Sequence, residues 1–125
     1  MADTTIQSLT RNDATEITEA NGAASQTIPM SGYSDDVFLW VRNTDAAAAT
    51  ITFSAPSDTR HAWQNDLGDL SQAVAQNETF IIGPVDGARF KDADEDITVT
   101  ITDADGTSYS GTVGNVKIAS ILQTK

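Results

Sequence analysis

The chain has 125 residues, the size of one domain built around a single core. Eighteen acidic residues against seven basic ones give a formal net charge of -11. That field repels phosphate backbones and anionic lipid, so neither nucleic acid nor a membrane is an expected partner. No cysteine is present, which excludes disulfides and thiolate chemistry.

In chain order, residues 1–25 are polar with isolated apolar positions at Ile6, Leu9 and Ile17, the pattern of an N-terminal arm or weak edge strand that turns at Asn21 and Gly22. Residues 26–125 hold the expected domain. Gln26, Thr27, Ile28, Pro29 and Met30 make a short extended run, and because Pro29 has no N–H for a ladder, the run belongs at a sheet edge. After a loop at 31–35 comes the strongest element, residues 36–43, in which Val37, Leu39 and Val41 alternate with Phe38, Trp40 and Arg42. Both faces are apolar, so this strand is either central and covered on both sides, or it offers its aromatic face to another subunit.

The alanine-rich stretch 43–49 is too short for an independent helix and reads as a hairpin connection into a strand at 50–54. Residues 55–76 are irregular around Trp63, Leu67, Leu70 and Val74, a length of loop that is functional or hides a short element. Strands are then expected over 78–85, ended by Gly83 and Pro84, and over 88–91. Residues 97–102 alternate throughout, with Ile97, Val99 and Ile101 inward and three threonines outward. Asp103, Ala104, Asp105 and Gly106 signal a hairpin turn whose Asp-Gly pair supplies positive backbone angles. The last strand, 116–122, carries Val116, Ile118 and Leu122 on one face and Ile121 on the other. Seven to nine short strands without an amphipathic helix predict an all-β fold: an antiparallel β-sandwich or barrel-like domain with an N-terminal arm.

The chemistry-bearing residues point away from catalysis. His61 is the only histidine, which removes two-histidine metal sites, and no Gly-x-Ser-x-Gly elbow supports a Ser-His-Asp set. Asp92, Asp94 and Asp96 have the spacing of a calcium loop's first ligands, with Asp103 at the twelfth position. Ile97, however, stands where that loop requires glycine, so a solvated acidic loop is expected, with no metal and no cofactor. Tyr33, Phe38, Trp40 and Trp63 suit core packing or a sugar-stacking platform. The start at Met1 shows neither the basic stretch nor the apolar run of a signal peptide, and no apolar segment approaches the roughly 20 residues needed to span a bilayer.

A family resemblance rests on residues 68–122: Gly68, Asp69 and Leu70, then Val74, the run Phe80, Ile81, Ile82, Gly83, Pro84 and Val85, then Ala88, Arg89 and Phe90, the strand at 97–100, and Val116, Lys117, Ile118 and Ala119. Together with the strand carrying Phe38 and Trp40, this order resembles the small β proteins of tailed viruses that decorate or cement the capsid. The resemblance implies a virion structural protein on the capsid surface, partnered by the major capsid protein and by its own copies as a homo-oligomer, a trimer in the common case. It also implies an interface set of Phe38, Trp40, Arg60, Trp63, Arg89 and Lys91, in which the aromatics pack at a contact and the cations meet an acidic capsid surface. Asp outnumbers Glu by 14 to 4 and Lys occurs only at Lys91, Lys117 and Lys125, a bias that suits an ordinary acidic surface or resembles halophilic proteins; joined to the viral resemblance it implies a virus of a halophilic archaeon. The alternatives are another virion component, such as a turret, head–tail completion or tail protein, and a carbohydrate-binding or adhesion module using Trp63.

Overall fold

The computed structural model describes residues 2–9, 14, 16–31, 37–56, 68–84 and 87–123. Their strands are β1 (Ala2–Asp3), β2 (Ile6–Leu9), β3 (Ala20–Asn21), β4 (Ser25–Pro29), β5 (Val37–Asn43), β6 (Ala49–Phe53), β7 (Leu70–Val74), β8 (Thr79–Ile82), β9 (Asp96–Thr102) and β10 (Val116–Gln123). One sheet, called sheet I, runs β1-β4-β9-β6-β7. Sheet II runs β2-β10-β5-β8, with β3 also paired to β10. The two sheets face each other as a mainly antiparallel β-sandwich, and neither closes into a barrel among the described residues.

Two-residue alternation decides which side chains fill the space between the sheets. Val37, Leu39 and Val41 of β5 are fully buried, as are Ile51 and Phe53 of β6 and Ile97, Val99 and Ile101 of β9. Ile28, Met30 and Val116 belong to the same cluster. β5 lies between β10 and β8, a central place in sheet II, with its inner face fully buried and Phe38, Trp40 and Arg42 of its outer face half-buried. β4 lies between β1 and β9 and is not the edge strand that Pro29 suggested: Pro29 ends β4 beyond the two residues that pair with β1, Gln26 and Thr27, so its missing N–H interrupts no ladder on that side.

The polar N-terminal stretch enters the fold as edge strands. β1 pairs in parallel with β4 of sheet I, and β2 pairs in parallel with β10 of sheet II. Between them Thr4 ties the sheets together: its N–H reaches the Thr27 carbonyl at 2.8 Å, and its hydroxyl accepts from Ser120 at 2.7 Å. Both hydroxyl-bearing residues are buried, so these bonds satisfy groups that water cannot reach.

Three further sequence expectations are corrected. Residues 43–49 do not form a hairpin, because β5 and β6 belong to different sheets. Val41 and Asn43 face inward from sheet II while Ala49 and Ile51 face inward from sheet I, so the segment arches over the core. Residues 87–90 form one helical turn (Gly87–Phe90), not a strand. The segment supplies a single large core side chain, Phe90, whose ring centre lies 5.9 Å from that of Phe53. A local turn seats that ring without a second alternating position to bury. At the Asp-Gly turn only Gly106 takes a positive φ, 83°, as the fourth residue of a turn whose N–H returns to the Asp103 carbonyl. A lone bridge between Thr102 and Ser108 follows, and the chain then crosses to sheet II. The irregular stretch 55–76 hides β7, which pairs antiparallel with β6.

Candidate functional site

The surface that combines aromatic, charged and apolar groups is the outer face of sheet II. Trp40 and Arg42 point away from the core on β5, two residues apart and so on the same side. Glu19 lies next to β3, on the opposite edge of β10, and crosses that strand where Ala119 offers only a methyl group. Its carboxylate accepts the Trp40 indole N–H at 2.8 Å through Oε2. It also accepts Arg42 in a two-pronged fork, Nε to Oε2 at 2.9 Å and Nη2 to Oε1 at 2.6 Å. The Arg42 and Glu19 side chains are 41% and 22% exposed, so water screens the pair only in part. The Arg42 hydrogen bond holds the Glu19 carboxyl below its ordinary value, against the opposing effect of burial and with help from Trp40.

Residues 16–19 rest above this face through a second polar contact. The Gln7 side chain donates to the Thr18 carbonyl at 2.7 Å and accepts the Thr18 N–H at 2.8 Å. Beneath them, where β2 and β3 diverge along β10, lies a cavity of about 360 Å³ lined by Thr4, Gln7, Thr18, Glu19, Ala119 and others. Ala119 and Ile121 are nearly fully buried although they face outward, away from the core cluster. The register places Trp40 between Ala119 and Ile81, and Phe38 beside Ile121, so an apolar row crosses the outer face.

That row ends at β8, an edge strand among the described residues. β8 is outermost in sheet II and β7 in sheet I, and the short turn at 75–78 joins them, so both edges lie on one side of the sandwich. The described residues include two exposed large hydrophobics, Leu70 on β7 at 37% and Ile81 on β8 at 60%. Asn43 N–H bonds the Glu78 carbonyl, and the Asn43 carbonyl accepts the Asn77 N–H. By antiparallel alternation, Phe80 and Ile82 then pair with β5 while Thr79 and Ile81 turn their backbone groups to the free edge.

The expected interface residues fall in separate places. Phe38 and Trp40 share the outer face of sheet II. Arg89 lies on the helical turn beside sheet I, where Nη2 donates to the Gly68 carbonyl at 3.1 Å and the guanidinium sits 4.7 Å from the Phe90 ring centre. Lys91 follows it and is partly buried. Arg60, His61, Trp63 and Tyr33 lie outside the described residues. The acidic loop is a closed turn: Asp92 Oδ1 accepts the N–H groups of Asp94 at 2.8 Å and Asp96 at 3.1 Å. No group of three or more metal-ligating side chains converges among the described residues. Sequence reasoning missed Glu19 and Ile81. An arginine next to a tryptophan on the outer face of an apolar strand was the available signal for a carboxylate partner. No family model, curated protein or solved structure matches the chain.

Proposed function

We propose that this chain is a non-catalytic structural protein that binds the outer surface of a tailed-virus capsid, with the major capsid protein as its partner and several copies meeting on the head lattice. The observation that supports it best is the side of the sandwich where two strand edges, unpaired among the described residues, carry the exposed Leu70 and Ile81. Protein edges of this kind recruit another chain unless they are covered or charged, and β8 carries no charge from Thr79 to Ile82. The acidic remainder of the surface keeps the particle hydrated and limits contacts to that side.

Purified particles tested by mass spectrometry and cryo-electron microscopy decide the matter. Many copies across the lattice, with β7 and β8 at the contact, are the expected result. A few copies at one vertex would assign the chain to a turret or tail instead, and absence from particles removes the reading. Ile81→Lys is the matching variant: it leaves stability within about 0.5 kcal/mol, as an exposed substitution does, and abolishes binding to undecorated heads.

A further inference from the structure

We infer that residues 16–21 form a strap latched by polar contacts, and that freeing Glu19 from Trp40 and Arg42 lifts the strap from the outer face of sheet II while the sandwich stays folded.

The inference stands apart from the capsid reading and rests on how the strap is attached. Its hold on sheet II consists of two register pairs from β3, Asn21 with Lys117 and Ala20 with Ile118. To these are added the Gln7–Thr18 amide pair, the Glu19 fork, and a bond from Lys117 Nζ to Asn21 Oδ1 at 2.6 Å. Burial contributes little: Glu16, Thr18, Ala20 and Asn21 are exposed, and Ile17 alone offers a half-buried apolar side chain. The cavity of about 360 Å³ lies against the strap where a packed element would fill space.

At Gly22 the chain is pinned, since its N–H bonds the Val116 carbonyl at 2.8 Å and a Cβ there would come within 2.7 Å of that same oxygen and of Ile101 Cδ1. The strap's C-terminal end is therefore fixed in place. Lifting it uncovers the Trp40 indole and Ala119, in the row that already reaches the exposed Ile81. Such a patch is larger than Ile81 alone and is suited to a protein contact. Among the described residues, the charged groups facing Glu19 are Arg42 on β5 and, at longer range, Lys117 on β10, with Glu16 in the strap itself.

Native-state hydrogen exchange on the wild-type protein tests the inference first. The Thr18 amide, bonded to Gln7, exchanges by a local opening whose rate is insensitive to low denaturant, whereas amides of β9 follow global unfolding. Glu19→Gln then speeds exchange at Thr18 by roughly tenfold, the order expected for loss of a charge-assisted bond, with β9 unchanged. In a Trp63→Phe background, Glu19→Gln also makes Trp40 more accessible to acrylamide. Exchange of Thr18 in step with β9 in the wild type would overturn the strap, as would Glu19→Gln leaving both Thr18 and Trp40 unaltered. The wild-type arm decides even where the variant does not fold.

Discussion

The Asp45 carboxylate accepts the Thr112 backbone N–H at 3.0 Å, so the loop leaving β5 and the loop entering β10 are fastened to one side chain. The same carboxylate accepts Ala47 N–H at 3.0 Å and Asn115 Nδ2 at 3.1 Å, and Tyr109 donates to the Ala47 carbonyl at 2.6 Å. Gly111 leaves the room this requires: a Cβ there would stand 2.5 Å from Asp45 Oδ1 and 2.7 Å from the Tyr109 ring. Gly111→Ala is expected to cost about 2 kcal/mol, the scale of overpacking. Asp45→Ala lowers the melting temperature by several degrees, and the double variant loses less than the sum because both act on one contact. A thermal double-mutant cycle measures this.

Acid acts on the same fastening. Hydrogen bonds from the Ala47 and Thr112 backbone hold the Asp45 carboxyl below its ordinary value of 3.8, so the fold favours its charged form. Its contribution is therefore complete above pH 3.8 and is lost as pH falls through the lower folded value. Glu19 behaves alike below its ordinary 4.5, with the Arg42 bond as the main cause. Melting curves across pH should show the gap between wild type and Asp45→Asn constant at neutral pH and closing only on the acid side. A gap that closes above pH 5 contradicts this assignment.

Asn43 is fully buried and its side chain is fully used. Nδ2 donates to the Ala47 carbonyl at 2.9 Å and the Val74 carbonyl at 3.0 Å, while Oδ1 accepts the Asp45 N–H at 2.9 Å. Asn43→Leu fits the volume but strands those backbone groups, at an expected cost of about 3 kcal/mol in urea unfolding. Asn43→Asp is expected to be worse, since it sets an acceptor against two carbonyls.

Glu95 has a φ of 63°, a left-handed conformation that costs a side chain about 1 kcal/mol. Glu95→Gly is thus expected to raise the urea midpoint, with the turn kept by Asp92 through its bonds to Asp94 and Asp96. An unchanged or lower midpoint would show that the glutamate side chain stabilises the turn by more than its backbone costs.

The sequence disclosed the strands that alternate cleanly, β5 and β9, because a strand with one buried face writes that face in steps of two. It concealed β7, since Leu70–Val74 is an edge strand with a single buried residue, Val74, and so lacks alternation. Alternation also says which side chains face the core but not from which sheet, which is why the arch between β5 and β6 reads as a hairpin. The apolar half of the outer face, Phe38 and Trp40, was legible. Its latch was not: Glu19 lies 21 and 23 residues from its two partners, in a stretch whose polarity resembles that of a free arm.

The pairing of Ile6 with Ser120 sets an order on assembly during synthesis. Every strand of sheet I exists once the ribosome has passed Thr102, whereas sheet II still lacks β10, the strand that joins β2, β3 and β5. Until Gln123 has left the exit tunnel, β5 has only β8 beside it, and Phe38 and Trp40 wait in solvent next to an unfilled ladder. A nascent chain stalled between these two points is therefore the form most prone to capture by chaperones or by another copy of itself.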